Sequence, residues 1–129
     1  MLEGSKLVAF IATTDSGKAR AFYEGLLGLT FISDDEFAMV LASDGIQLRV
    51  QKVKELTPQS HTVLGWFVTS IEEVIQAISA ADLQFERYAF LQQDAGGVWT
   101  APSGALVAWL KDPDGNLISF TQATRDTGK

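Results

Sequence analysis

The stretch whose reading decides the fold is Trp109–Gln122, WLKDPDGNLISFTQ. Side-chain character alternates on both sides of a turn. Val107, Trp109 and Lys111 alternate with Ala108 and Leu110 on the way in, and Leu117, Ser119 and Thr121 alternate with Ile118 and Phe120 on the way out. A period of two marks a strand with two unlike faces. Between the strands, Asp112-Pro113-Asp114-Gly115 makes the turn. Pro113 presets φ at the first corner, and Gly115 can take a positive φ where the chain reverses. A loop of Pro113 to Gly115 closed by a glycine bulge pairs odd positions with odd ones. One face is then apolar throughout (Ala108, Leu110, Ile118, Phe120), and the other carries Trp109, Lys111, Ser119 and Thr121. The first face packs; the second has something else to meet.

Working outward, the rest of the chain reads as two passes of one pattern. The apolar run Leu7–Ala12 predicts a buried strand. Asp15 then caps a helix over 16–27 whose stripe is Ala19, Phe22, Tyr23, Leu26 and Leu27, with Gly28 as the left-handed C-terminal residue. Strands follow at 29–33, 37–42 and 46–52, the last two joined by Ser43-Asp44-Gly45. Residues 53–60, with Pro58, read as a linker. The second pass opens with a strand at 62–68. Ser70 and Glu73 form a capping box for a helix with inner face Ile71, Val74, Ile75, Ile78 and Ala81. A strand at 83–88, a polar loop at 92–97, a short pairing segment at 98–100 and the hairpin at 105–122 complete it. The caps Asp15 and Ser70, and the turns Asp44-Gly45 and Asp114-Gly115, recur in the same order, so 6–52 and 62–122 are read as repeated modules. A four-stranded sheet with a helix on one face leaves its other face bare. Two such sheets placed together enclose a cleft.

Composition narrows the function classes. With 129 residues and 47% hydrophobic content the chain can fill one proper core. No apolar run is long enough to span a bilayer, and Met1–Lys6 does not resemble a signal peptide, so a cytoplasmic, membrane-independent protein is expected. The absence of cysteine excludes disulfides, thiolate metal sites and thiol nucleophiles. A single histidine, His61, excludes sites needing two histidines from one chain. A net charge of -6 with no basic cluster argues against nucleic acid as a partner.

Two motifs carry a family resemblance. Lys18–Leu29, KARAFYEGLLGL, is similar to the AFYxxxLGL signature of the vicinal oxygen chelate superfamily, and Lys111–Asn116 resembles that superfamily's DPDGN turn. The resemblance runs from Leu7 to Gln122 and includes the order of elements. It implies an α+β fold: one glyoxalase-like domain over 1–129, built of two tandem βαβββ modules whose mixed sheets curve together around a shared cleft, the glyoxalase/bleomycin resistance fold. It also implies a homodimer, with modules pairing within or between chains. The superfamily includes glyoxalases, extradiol dioxygenases, epimerases, fosfomycin resistance enzymes and bleomycin-binding proteins, so fold does not settle function. Its metalloenzymes carry ligands on cleft-facing strands. Carried across, those positions fall on Val8, Val63, Arg49 (or Gln47, if the alignment slips by one pleat) and Ser119. Valine cannot ligate a divalent cation, a guanidinium repels one, and a lone serine is a poor ligand. His61, two residues before Val63, reaches the site only after a similar slip, and finds no good second ligand. No metal and no cofactor are expected, and metal-dependent glyoxalase or dioxygenase chemistry is not expected.

Strand parity assigns the cleft face to Val8, Phe10 and Ala12; Gln47, Arg49 and Gln51; Val63, Gly65 and Phe67; and Trp109, Lys111, Ser119 and Thr121, with Trp99 at one end. From these the candidate ligand-binding set is Arg49, Gln47, Gln51, Phe10, Phe67, Trp99, Trp109 and Ser119. Arg49 either clamps a carboxylate or phosphate, or pairs with an acid such as Glu86, or reaches solvent. Trp109 and Phe67 either stack a planar ligand or fill core. Three functions compete. One is a metal-free binding protein for a small anionic or aromatic molecule. The second is a metal-independent lyase, isomerase or transferase in which Arg49 stabilises an anion. The third is a module whose cleft is filled by its own side chains. No Asp or Glu falls on the assigned face, so a general base is missing from the second reading.

Overall fold

The computed structural model describes residues 1–124. They separate after Pro58 into two compact units. In the first, β1 (Val8–Thr13) leads to α1 (Ser16–Arg20), which continues as a π-helical turn (Ala21–Leu26). β2 (Thr30–Asp34), β3 (Ala38–Ser43) and β4 (Ile46–Lys52) follow. In the second, β5 (Leu64–Phe67), α2 (Ile71–Ala80), β6 (Trp99–Thr100), β7 (Leu106–Lys111) and β8 (Leu117–Gln122) appear in matching order. Each unit holds one four-stranded mixed sheet, ordered β1-β4-β3-β2 and β5-β8-β7-β6. The first strand of each lies parallel to the last (β1 to β4, β5 to β8), and the remaining pairs are antiparallel.

The terminal hairpin has the expected register: Lys111 faces Leu117, Trp109 faces Ser119 and Val107 faces Thr121. Gly115 takes φ +89°. The turn is held by the buried Asp112. Its Oδ1 accepts from the backbone N–H of Asp114 and of Asn116, each at 2.9 Å, and its Oδ2 accepts from Asn116 Nδ2 at 2.9 Å. The face carrying Ala108, Leu110, Ile118 and Phe120 is buried, and α2 packs against β7 and β8. The equivalent face of the first unit buries Ile11, Leu48, Val50, Met39 and Leu41. Asp15 caps α1 by accepting from Lys18 N–H, and Ser70 caps α2 by accepting from Glu73 N–H. A second donor at the start of α2, Ile71 N–H, is taken by Gln122 Oε1 from the end of β8.

Four elements depart from the sequence reading. The first strand, read as buried, leaves Val8 and Phe10 exposed, because only the opposite face of its sheet is packed. The first helix widens after Arg20: Leu27 N–H reaches back five residues to Phe22 O at 3.0 Å, before Gly28 ends the helix at φ +82°. The extra width lets Phe22 and Tyr23 both be buried, with rings 4.9 Å apart and edge to face. Ala81 is exposed rather than on the inner face of α2, because the helix stops at Ala80 and turns away through Asp82 at φ +62°. Leu83–Tyr88 is not a strand. It runs beside β7 with a bond from Glu86 N–H to Trp109 O. The Gln93 carboxamide occupies groups that a further strand would use, donating to Glu86 O and accepting from Tyr88 N–H. The edge of this sheet is therefore the two-residue β6.

Candidate functional site

The eight candidate residues fall into two groups, one in each unit, and each group shares a sheet face. In the first unit, β1 and β4 lie side by side with Val8 opposite Gln47, Phe10 opposite Arg49 and Ala12 opposite Gln51. On the far side of β4, Arg49 faces Val40 of β3, which in turn faces Ser33 of β2. Paired residues point to the same side of a sheet, so Phe10, Arg49, Val40 and Ser33 form one row across it. Gln47 and Gln51 flank that row at a spacing of two residues. Phe10 is 55% exposed, Gln47 and Gln51 are exposed, and Arg49 is half-buried.

The Arg49 side chain makes no hydrogen bond and no ion pair within 4.0 Å among the described residues. Glu86, the acid considered as its partner, instead lies 3.6 Å from Lys111 Nζ in the other unit. The acid that responds to Arg49 is Asp35. Its carboxyl is held below the usual value, first by the backbone N–H groups of Ala38 and Phe37, then by the charges of Arg49 and Lys52. Because both backbone bonds end on Asp35 Oδ1, this carboxylate acts as a turn former. A carboxylate stabilised in its charged form is a weak general base. Lys52 is used up locally by Asp34, at 2.6 Å.

In the second unit, β5, β8 and β7 align Gly65, Ser119 and Trp109 in one row and Phe67, Thr121, Val107 and Trp99 in the next. Trp99 and Trp109 are half-buried with ring centroids 6.0 Å apart. Tyr88 meets Trp109 edge-on at 5.6 Å and Phe90 at 5.5 Å, so four aromatic rings run in series over this surface. Phe67 is 74% exposed and Phe90 is 82% exposed. Burial, and then the charge of Glu86, push the Tyr88 phenol above its ordinary value. Trp66 points to the opposite face and stacks on Phe120 at 5.9 Å, as packing. Tyr88 and Phe90 are the residues that sequence reasoning missed. Their spacing of two, in Tyr88-Ala89-Phe90, is a usable signal, hidden because the expected strand at 83–88 ends on Tyr88 and leaves Phe90 outside it.

The residues at the family's metal positions do not fit a metal. Val8 and Gln47 are partners, with Arg49 two residues on; Val63 bonds through its N–H to Leu117 O, with Ser119 two residues on. The two units thus place Val8 with Arg49 and Val63 with Ser119 at equivalent points. The four side chains offer two hydrocarbons, a cation and one hydroxyl, with no carboxylate or imidazole. Elsewhere among the described residues, no three His, Asp or Glu side chains converge. His61 is an exposed loop residue.

The model for the Glyoxalase/Bleomycin resistance protein/Dioxygenase superfamily matches residues 7–120. Comparison with the curated proteins finds no match. Several solved structures share the fold. A bleomycin resistance determinant encoded on the transposon Tn5 superposes with a TM-score of 0.72 at 21% identity, over 92% of this chain and 98% of that one. A bleomycin-binding protein complexed with bleomycin gives 0.72 at 21%, over 93% and 99%. A lactoylglutathione lyase from Agrobacterium tumefaciens gives 0.71 at 13%, over 92% of each chain. At these identities the likeness is one of fold. Among the described residues, no helix is long and apolar enough to cross a membrane.

Proposed function

The chain belongs to the Glyoxalase/Bleomycin resistance protein/Dioxygenase superfamily, and from that premise we propose that it is a metal-free binding protein for a small, planar anionic molecule, an aromatic carboxylate being the simplest type. The observation that carries this reading is Arg49, a half-buried guanidinium with no ion-pair partner among the described residues, set beside the exposed ring of Phe10 and between two glutamines. A guanidinium offers two parallel N–H donors that match a carboxylate, and Gln47 and Gln51 can complete its hydrogen bonding. In the second unit, Trp99, Trp109, Phe67 and Ser119 offer a surface of their own on which an aromatic ring can stack and a polar edge can bond. A structural relative complexed with bleomycin, the bleomycin-binding protein, supports small-molecule binding as the type of activity. The metal-independent enzyme reading finds less support, because the carboxylate nearest in effect to Arg49, Asp35, is occupied by backbone bonds and held in its charged form.

A calorimetric or thermal-shift screen of aromatic carboxylates and their neutral amides tests the proposal. Acids should raise the melting temperature and amides should not. Arg49→Met should weaken acid binding by roughly tenfold to a hundredfold, the loss of a charge-assisted hydrogen-bond pair. Acids that bind equally well to the Arg49→Met chain would show that Arg49 is not the anion clamp.

A further inference from the structure

A second feature shares only Trp99 with the candidate groups. The start of α2, the loop before β6 and Leu106 of β7 line an open-mouthed hollow of about 730 Å³ within the second unit. It is lined by Ile71 and Ile75 of α2, Val98, Trp99 and Leu106, together with Glu72 and Asp94. We propose that this cavity is a separate ligand site that takes a small organic ammonium ion carrying an apolar body.

The size lies in the range of small-molecule pockets, and the walls are preformed. Asp94 Oδ1 accepts from Gly96 N–H and Val98 N–H, each at 2.9 Å, and Gln93 Nε2 donates to Gly97 O at 2.8 Å, so the loop is tied to itself. Gly96 fits under Ile75 because it has no side chain: a methyl there would stand 3.2 Å from Ile75 Cγ2. The loop bonds to Asp94 use one carboxylate oxygen, leaving Oδ2 as an acceptor. Glu72 supplies a second carboxylate from the first turn of α2. The lining contains no Lys, Arg or His. Arg87, which donates to the Ala95 carbonyl, lines a neighbouring hollow instead. The start of α2 would ordinarily favour an anion. Here Ile71 N–H is taken by Gln122 Oε1 and Glu73 N–H by Ser70 Oγ, so these two donors are already satisfied. Two carboxylates against one capped helix end leave the balance in favour of a cation, and the apolar walls select one with a hydrocarbon body.

Benzylamine is the probe, titrated into the full nitrogen-labelled chain and followed by amide NMR, with benzyl alcohol and benzoate as controls. Saturable shifts should centre on Glu72, Ile75, Asp94, Val98 and Thr100, and benzyl alcohol should bind roughly tenfold more weakly, as expected when a charge-assisted hydrogen bond is lost. Glu72→Gln, at an exposed residue of the lining, should lower benzylamine affinity while leaving the spectrum otherwise folded. Ile75→Trp should fill the cavity and abolish binding, and Arg49→Met should leave it unchanged. The proposal is overturned if benzylamine shifts none of these amides, if amine and alcohol bind alike, or if the shifts centre on Arg49 or Trp109.

Discussion

Ser119 and Gly65 face each other across β8 and β5, and their fit is close enough to measure. A methyl group built on Gly65 would stand 2.6 Å from Ser119 Oγ and 3.4 Å from its carbonyl oxygen. The missing side chain gives the serine hydroxyl its room on the face shared with Trp109. Gly65→Ala should therefore lower stability by about 1–3 kcal/mol, the usual cost of overpacking. Ser119→Ala in the same chain should return part of that loss, because the hydroxyl is the nearest obstacle. Denaturant unfolding of the four chains in the cycle checks this, and strictly additive effects would sink the coupling. Arg49 is the opposite case at the same scale. Its residue type and its parity on β4 were legible, but its want of an ion-pair partner was not. Within its own unit that depends on Asp35 being bonded by the backbone of its own loop and on Asp34 being held by Lys52.

The element most open to reading was the hairpin from β7 to β8, because everything that forms it is local. Alternation assigns the faces, Gly115 permits the reversal, and Asp112 bonds residues two and four positions ahead. Asp112→Ala should cost about 3 kcal/mol, since it leaves buried donors of Asn116 unpaired. Asp112→Asn, which keeps one acceptor oxygen, should cost less. Urea midpoints decide between them, and an unchanged midpoint for the alanine variant would show that the turn does not need its carboxylate. Leu83–Tyr88 was misread for the converse reason. Its composition suits a strand, but a strand exists only if its backbone groups find a ladder. The Gln93 side chain, five residues past Tyr88, takes the Tyr88 N–H and the Glu86 carbonyl first. The π-helical turn at Ala21–Leu26 was hidden too. Apolar spacing over so short a segment does not separate a period of 3.6 from a slightly wider coil.

For the whole molecule, the large apolar side chains left uncovered carry the expectation of partners. Phe10 is 55% exposed and Phe67 is 74% exposed, each on the open face of its own sheet. Large aromatic side chains left exposed on a sheet face commonly mark interaction surfaces. We therefore propose that the protein works as a homodimer. Light scattering coupled to size exclusion should give twice the 14.0 kDa chain mass. Phe67→Glu should shift the protein toward monomer if this face is the contact, whereas a monomer throughout the micromolar range would defeat the proposal.

The sequence by itself determined the family fold, the two-module order, the parity of every face in the terminal hairpin and the residue types at the metal positions. These follow from periodicity, turn chemistry and motif, which act over a few neighbouring residues. Only the tertiary structure decided which charges are paired, that the second sheet ends in a two-residue edge, that Tyr88 and Phe90 extend the Trp99–Trp109 series, and that a cavity lies under α2. Each depends on side chains from distant segments competing for the same backbone group, charge or space, and no local pattern records who wins that competition.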